Sequence, residues 1–284
     1  MANECGKLYV VATPIGNLAD ISFRALATLK EVDLIAAEDT RHVKMLLRHY
    51  GIHNPLVSLH QHNEAKISQE LLTKLQFGLS IALVSDAGTP LISDPGMPLV
   101  KLVKNAGIDV VPIPGACALV TALSASGLPV ARFSFEGFAP RNSAERKAFF
   151  LAKQNQQTTW LFYESCHRIL DSLQDMASIL PLERQIVIAR ELTKLHETIV
   201  KDSLGNVLEL VRNDENMRKG EFVVIVEGAA NVSQAQTITE EHKKILGILL
   251  QECTIKSTVD MAARITGAKK KLLYQLALNL KNSA

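Results

Sequence analysis

Along the first half of this chain, short apolar runs alternate with segments in which apolar residues recur every three or four positions. Leu8-Tyr9-Val10-Val11-Ala12 reads as a short buried strand, broken by Thr13-Pro14-Ile15-Gly16-Asn17. Phe23, Ala25, Leu26 and Leu29 then share one helical face, with Asp20 or Ser22 placed to cap it. Leu34-Ile35-Ala36-Ala37 predicts a second strand, ending in Glu38-Asp39-Thr40-Arg41 and followed by a helix carrying Val43, Leu46 and Leu47. A helix over 65–75, a strand over 80–84, a helix over 98–105 and a strand over 109–113 follow in the same rhythm. Strands alternating with helices imply right-handed crossovers and a largely parallel sheet.

The second half predicts a further α/β region. Its strands are Phe133 onward to Pro140, 158–163, 186–189 and 221–226, with a charged helix starting near Ser143. The small polar stretch 229–236 reads as a linker. Beyond it the pattern is helical throughout. Thr237-Ile238-Thr239-Glu240 is a capping box leading into Ile245, Leu246, Leu249 and Leu250. A helix beginning at Ser257, a turn at Thr266-Gly267 and a helix over 268–280 opened by Lys269, Lys270 and Lys271 together resemble a helix-turn-helix.

Three loops follow strands: 13–18, 85–96 and 114–118. The middle one, Ser85-Asp86-Ala87-Gly88-Thr89-Pro90-Leu91-Ile92-Ser93-Asp94-Pro95-Gly96, concentrates Gly, Pro and small polar residues directly after a buried strand. Ligands of open α/β sheets bind beyond the carboxyl ends of the strands, so this loop leads as a small-molecule site. None of the three loops matches a dinucleotide fingerprint or a P-loop, and their composition suits a ligand held mainly by backbone groups. His60-Gln61-His62 lacks carboxylates at ligand spacing, and no metal site is expected there.

Charge changes the picture at one end only. The net charge of +2 divides into +4 over residues 238–284 and −2 over the rest, compatible with a nucleic-acid partner for the tail. Cys5, Cys117, Cys166 and Cys253 are scattered without a CxxC pair and read as reduced thiols of a cytoplasmic protein. No run of about twenty apolar residues suggests a membrane span.

The motifs together resemble a known family. Val11-Ala12-Thr13-Pro14-Ile15-Gly16-Asn17-Leu18-Ala19-Asp20-Ile21-Ser22, Ala37 to Arg41, Ser85 to Gly96, and Pro114-Gly115 with 122–129 are similar to motifs of the ribosomal RNA small subunit methyltransferase I family. So are Phe162-Tyr163-Glu164-Ser165 with His167-Arg168, and Ala189-Arg190-Glu191-Leu192-Thr193-Lys194. The resemblance implies a branch of the tetrapyrrole methylase fold class. That fold has two α/β domains (1–116 and 117–230) with a cofactor cleft between them, and here a helix-turn-helix-like RNA-contacting module over 237–284. It implies S-adenosylmethionine as cofactor and methylation of a cytidine ribose 2′-hydroxyl in the decoding region of small-subunit rRNA. The implied partners are the rRNA or the 30S subunit and a second copy of the chain.

By the same resemblance Ser85, Asp86, Ala87, Gly88 and Ile92 would line one side of the cofactor. Pro114, Gly115, Ala116, Cys117, Phe162 and Tyr163 would line another, with Ala189, Gly220 and Glu221 near the adenine. The 2′-hydroxyl needs a proton acceptor. Glu38, Asp39, Glu164 and Glu191 stand at predicted strand ends as candidates, and Arg41, Arg168 and Arg190 could clamp phosphates or stabilise charge. Ion pairing among these same residues is the competing role for each. Two other functions stay open at this point: a tetrapyrrole methyltransferase of the same fold, and a non-catalytic ribosome assembly factor.

Overall fold

The computed structural model describes residues 5–229 and 240–282. Residues up to Glu227 form one compact unit and those from Gly228 a second. The linker residues 230–236 and the capping-box residues 237–239 lie outside the described residues.

The first unit opens with β1 (Leu8–Val11), α1 (Phe23–Glu31), β2 (Leu34–Ala37), α2 (Thr40–His49), β3 (Leu56–Ser58), α3 (Glu64–Gln76), β4 (Ile81–Val84), α4 (Met97–Asn105) and β5 (Val110–Ile113). The five strands make one sheet in the order β3-β2-β4-β1-β5, and every pairing is parallel. The expected rhythm holds, and Ser22 caps α1 by accepting from the Ala25 N–H. Strand β3 has no counterpart in the sequence pattern, because three residues at a sheet edge carry too little periodicity. Both faces of the sheet are covered. Val11, Ile35, Ala82 and Ile113 pack beneath α1 and α2, while Leu8, Ala36, Ile81 and Leu83 pack beneath α3 and α4.

Then follow α5 (Ala118–Ala125), β6 (Phe133–Phe138), α6 (Ser143–Lys153), β7 (Thr159–Ser165), α7 (Ile169–Ala177), β8 (Gln185–Arg190), β9 (Thr198–Ser203), α8 (Leu204–Asn213) and β10 (Glu221–Val226). The charged helix α6 starts at Ser143 as expected, capped by Asn142, which accepts from the Ala144 and Glu145 N–H groups. The second sheet runs β6-β7-β10-β8-β9, and only β6 and β7 are parallel. Strand β9, which the apolar pattern misses, is an edge strand whose Lys201 and Asp202 face solvent. The antiparallel insertion of β10 has a functional consequence. Its first residue, Glu221, lies beside Ser165 at the end of β7, and Phe222 lies beside Arg190 at the end of β8. Ends of three strands therefore meet at one edge.

The second unit contains α9 (Glu240–Glu252), α10 (Ile255–Thr266) and α11 (Lys270–Asn282) around Leu246, Val259, Ala262, Leu273, Leu276 and Ala277. Helix α10 starts earlier than expected because Thr254 caps it, accepting from the Ser257 N–H. No helix among the described residues is long and apolar enough to cross a membrane.

Candidate active site

A cavity of about 470 Å³ opens in the first unit. On one side it is lined by the carboxyl edge of the parallel sheet: Ile15, Glu38, Asp86, Ala87, Gly88, Thr89, Ile92, Ser93 and Asp94. These positions come together because β2, β4 and β1 are neighbours, so the loops that follow them emerge side by side. On the other side are Cys117, Ala118, Phe138, Tyr163, Glu164, Ser165, Ala189, Leu192, Glu221, Phe222 and Val223. A shared apolar floor of Leu119, Leu161, Val187 and Val223, with Ile15 and Ile92 packed on it, joins the two walls.

The loop after β4 is fixed from beneath. Thr13 and Gly88 exchange both backbone hydrogen bonds, at 2.8 and 3.0 Å, and the Thr13 hydroxyl also donates to the Ser85 carbonyl. The Thr89 hydroxyl donates to the Ala116 carbonyl at 3.0 Å, tying this loop to the one after β5. Leu91 and Ser93 carry left-handed backbones, as do Glu191 and Thr193 across the cavity. Non-glycine residues in that region are uncommon, and here all four fall on two loops that meet the cavity. The Asn17 N–H donates to the Thr193 hydroxyl, which ties the loop after β1 to the strained segment at 191–193.

Of the residues expected at the cofactor, Asp86, Ala87, Gly88, Ile92, Cys117, Tyr163, Ala189 and Glu221 line the cavity. Ser85 is buried beneath the loop, where its hydroxyl donates to the Ala87 and Gly88 carbonyls. Pro114, Gly115, Ala116 and Gly220 support the walls without lining them. Phe162 corrects the expectation. It alternates to the opposite face of β7, fully buried and stacked on Trp160 at 5.8 Å, because successive strand residues point to opposite faces. Its neighbour Tyr163 faces the cavity, edge-on to Phe135 and Phe138, and burial pushes its phenol up to about 12.

The charged candidates separate sharply. Asp39 caps α2 through the Arg41 N–H and binds the Arg41 guanidinium at 2.7 and 3.0 Å, which holds its carboxyl well below the usual range. The Glu164 carboxylate is fully buried between Arg168 at 2.6 Å, the Ser172 hydroxyl at 2.5 Å and the Ser165 N–H. Arg168 is occupied by that ion pair and by the Ala139 carbonyl. Arg190 is buried and donates to the Lys219 and His196 carbonyls. Burial works against the Glu191 charge, but Lys194 at 2.7 Å and the Glu221 N–H outweigh it and lower its pKa. These five groups brace the walls.

Glu38 differs. Its carboxylate receives no hydrogen bond or ion pair from the described residues, and burial together with the charges of Asp86, Asp94 and Asp39 raises its pKa. Asp94, which sequence reasoning passed over although it lies in the singled-out loop, is raised by burial against the opposing Ser85 hydroxyl. Ile15, Leu192 and Phe138 were also missed. Their apolar side chains look like core until the antiparallel second sheet is known. Among the described residues no group of His, Cys, Asp and Glu could hold a metal ion.

In the second unit Lys269 and Lys271 are exposed, whereas Lys270 is paired with Asp260 at 2.6 Å. Residues 7–208 match the family Tetrapyrrole (Corrin/Porphyrin) Methylases, and residues 236–281 match the RsmI C-terminal HTH domain. The ribosomal RNA small subunit methyltransferase I of Escherichia coli O157:H7 is 52% identical over 276 residues, covering 97% of this chain and 96% of that protein.

The chain belongs to the ribosomal RNA small subunit methyltransferase I family.

A second member of that family, from Haemophilus influenzae, is 50% identical over 98% of each chain. Solved structures extend the kinship in fold. Uroporphyrin-III C-methyltransferase from Thermus thermophilus, complexed with S-adenosylhomocysteine, superposes with a TM-score of 0.53 at 17% identity, covering 78% of this chain and 97% of that one. Diphthine synthase superposes with a TM-score of 0.59 at 16% identity, covering 78% and 90%. The chain thus carries a tetrapyrrole-methylase match over residues 7–208 and a separate helix-turn-helix match over residues 236–281.

Proposed function

We propose that this protein transfers a methyl group from S-adenosylmethionine to the ribose 2′-hydroxyl of a cytidine in the decoding region of small-subunit rRNA. One observation carries the reading: about 50% identity to rRNA methyltransferases runs through both the cavity unit and the helical unit. The tetrapyrrole enzymes are alike in fold alone.

The cavity suits the cofactor in shape and charge. Ile15, Ile92, Leu192 and Val223 offer apolar surface for an adenine and a thioether chain, and Gly88 lets the backbone approach closely. Glu38, Asp86 and Asp94 make one wall acidic, which favours a cationic guest. Ala87, Gly88, Ile92, Cys117, Tyr163 and Ala189 are the residues we assign to holding it. When bound, the cofactor supplies an electrophilic methyl on a sulfonium.

The protein's own contribution is positional. In-line displacement gains most from holding the acceptor oxygen in line with the methyl carbon, and the braced walls provide that rigidity. The ion pairs of Glu164 with Arg168 and of Glu191 with Lys194 keep the carboxyl ends of β7 and β8 in register with the start of β10. Lys269 and Lys271 are assigned to RNA phosphates. We read the lobe boundary at 116/117, since apolar clusters segregate to residues 8–113 and 139–226 with one shared floor. We also read the protein as cytoplasmic and its working form as a homodimer, and exposed Phe133 on edge strand β6 supports the pairing.

Removing residues 237–284 tests the assignment of the tail. Affinity for 30S subunits, measured by filter binding, should fall by at least about tenfold while cofactor affinity by calorimetry is kept. Equal subunit binding by the truncated protein would contradict it.

A further inference from the structure

The carboxylates at the cavity edge are not equivalent. Asp86 already accepts the Asp39 N–H at 2.9 Å, and Asp94 has the Ser85 hydroxyl beside it. Glu221 is held by Lys194 at 2.9 Å. Among the cavity carboxylates of the described residues, Glu38 has neither a hydrogen bond nor an ion pair from the protein, and unlike Asp94 it has no hydroxyl beside it. The backbone beneath it is rigid. Ala37 pairs with Ser58 on one side and Val84 on the other, and the Ser58 hydroxyl donates to the Glu38 carbonyl. A half-buried carboxylate on a fixed stem, lining a ligand cavity and free of protein partners, is open to accept a hydrogen bond from a bound hydroxyl.

We propose that Glu38 is the catalytic residue that accepts the proton of the attacking hydroxyl, an assignment that rests on the methylation reading above. In the step, the O–H bond of the ribose breaks and its proton passes to a Glu38 carboxylate oxygen. The hydroxyl oxygen uses its electron pair to bond the methyl carbon. The pair of the broken carbon–sulfur bond stays on sulfur, which loses its positive charge. Glu38 then returns the proton to water.

The electrostatics serve this role. Burial first, and then the like charges on Asp86, Asp94 and Asp39, make Glu38 a stronger proton acceptor than an isolated carboxylate. A cation bound in the same cavity opposes that repulsion and keeps Glu38 ionised until the hydroxyl arrives. The alternatives are structurally spent. Asp39 cannot leave Arg41 without uncapping α2, and Glu164 and Glu191 sit inside ion pairs.

The test is Glu38→Gln, with Glu38→Asp as companion, assayed by single-turnover methyl transfer from labelled S-adenosylmethionine to 30S subunits. Glu38→Gln should transfer at least about 100-fold more slowly, with cofactor affinity within about threefold of wild type. The wild-type rate should rise with pH through one carboxylate titration. That limb should vanish in Glu38→Gln and persist, at reduced rate, in Glu38→Asp. Transfer within about threefold of wild type, with the pH limb intact, would overturn the proposal. So would a collapse of cofactor affinity, which makes Glu38 a binding group, or a loss of folding, which makes its carboxylate structural. If wild-type protein binds cofactor but leaves rRNA unlabelled, the methylation reading itself falls and the role of Glu38 falls with it.

Discussion

Thr13 and Gly88 form an isolated two-hydrogen-bond bridge between the loop after β1 and the loop after β4. Gly88 adopts φ +81°, and a Cβ there would stand 3.1 Å from Ile15 Cγ2. Both the left-handed backbone and the crowding oppose a side chain. Gly88→Val should raise the cofactor dissociation constant at least about tenfold and destabilise the protein by about 1–3 kcal/mol. Calorimetry and urea unfolding check the two halves of this expectation. Unchanged cofactor affinity would move the binding site away from this loop.

Gly220 offers a parallel test on the facing wall. At φ +94°, its added Cβ would lie 2.4 Å from Glu191 Cγ and 2.6 Å from Glu191 Oε1. Gly220→Ala therefore displaces the carboxylate that receives the Glu221 N–H and Lys194. We expect a loss of about 1–3 kcal/mol, read as a lower urea midpoint at unchanged slope.

Arg168 and Arg41 began as equal candidates for phosphate contact, and the structure divides them. Arg168→Ala strips the partner from the fully buried Glu164 carboxylate and should cost about 3–5 kcal/mol. Arg41→Ala removes an exposed guanidinium and should leave the unfolding temperature close to that of wild type. Thermal unfolding distinguishes the pair. Equal stability of the two variants would return Arg168 to a purely RNA-facing role.

The acidic wall also predicts a pH dependence. Glu38 and Asp94 have folded pKa values above their ordinary 4.5 and 3.8, so the fold favours their neutral forms. That contribution is fully present below the ordinary values and is lost as pH rises through the raised ones. Glu38→Gln without cofactor should thus be at least as stable as wild type at pH 7, by about 0.5 kcal/mol or less, with the difference closing toward pH 4. A variant less stable than wild type at pH 7 would reveal a bond to the carboxylate.

The sequence pattern exposed the first sheet almost completely, because parallel strands buried on both faces read as continuous apolar runs such as Ile81–Val84. It hid the direction of β10, since nothing in Glu221 to Val226 records which neighbours a strand chooses. That choice brings Glu221 to the ends of β7 and β8, so half the cavity wall depended on long-range pairing. The loop at 85–96 was legible from composition. Which charges would be free was not, because Asp39, Glu164, Glu191 and Glu38 look alike until their partners are placed. Phe162 and Tyr163 differ only by strand alternation, and their register assigns one to core and the other to cavity.

Methylation of a ribose in small-subunit rRNA is the reaction on which the role of every cavity residue depends. Purified protein with methyl-labelled S-adenosylmethionine and unmethylated 30S subunits, followed by nuclease digestion, tests it most directly. Stoichiometric label is expected in one 2′-O-methylcytidine of the decoding region and none in a tetrapyrrole precursor offered in parallel. Label in the tetrapyrrole, or unlabelled rRNA despite measurable cofactor binding, would contradict it.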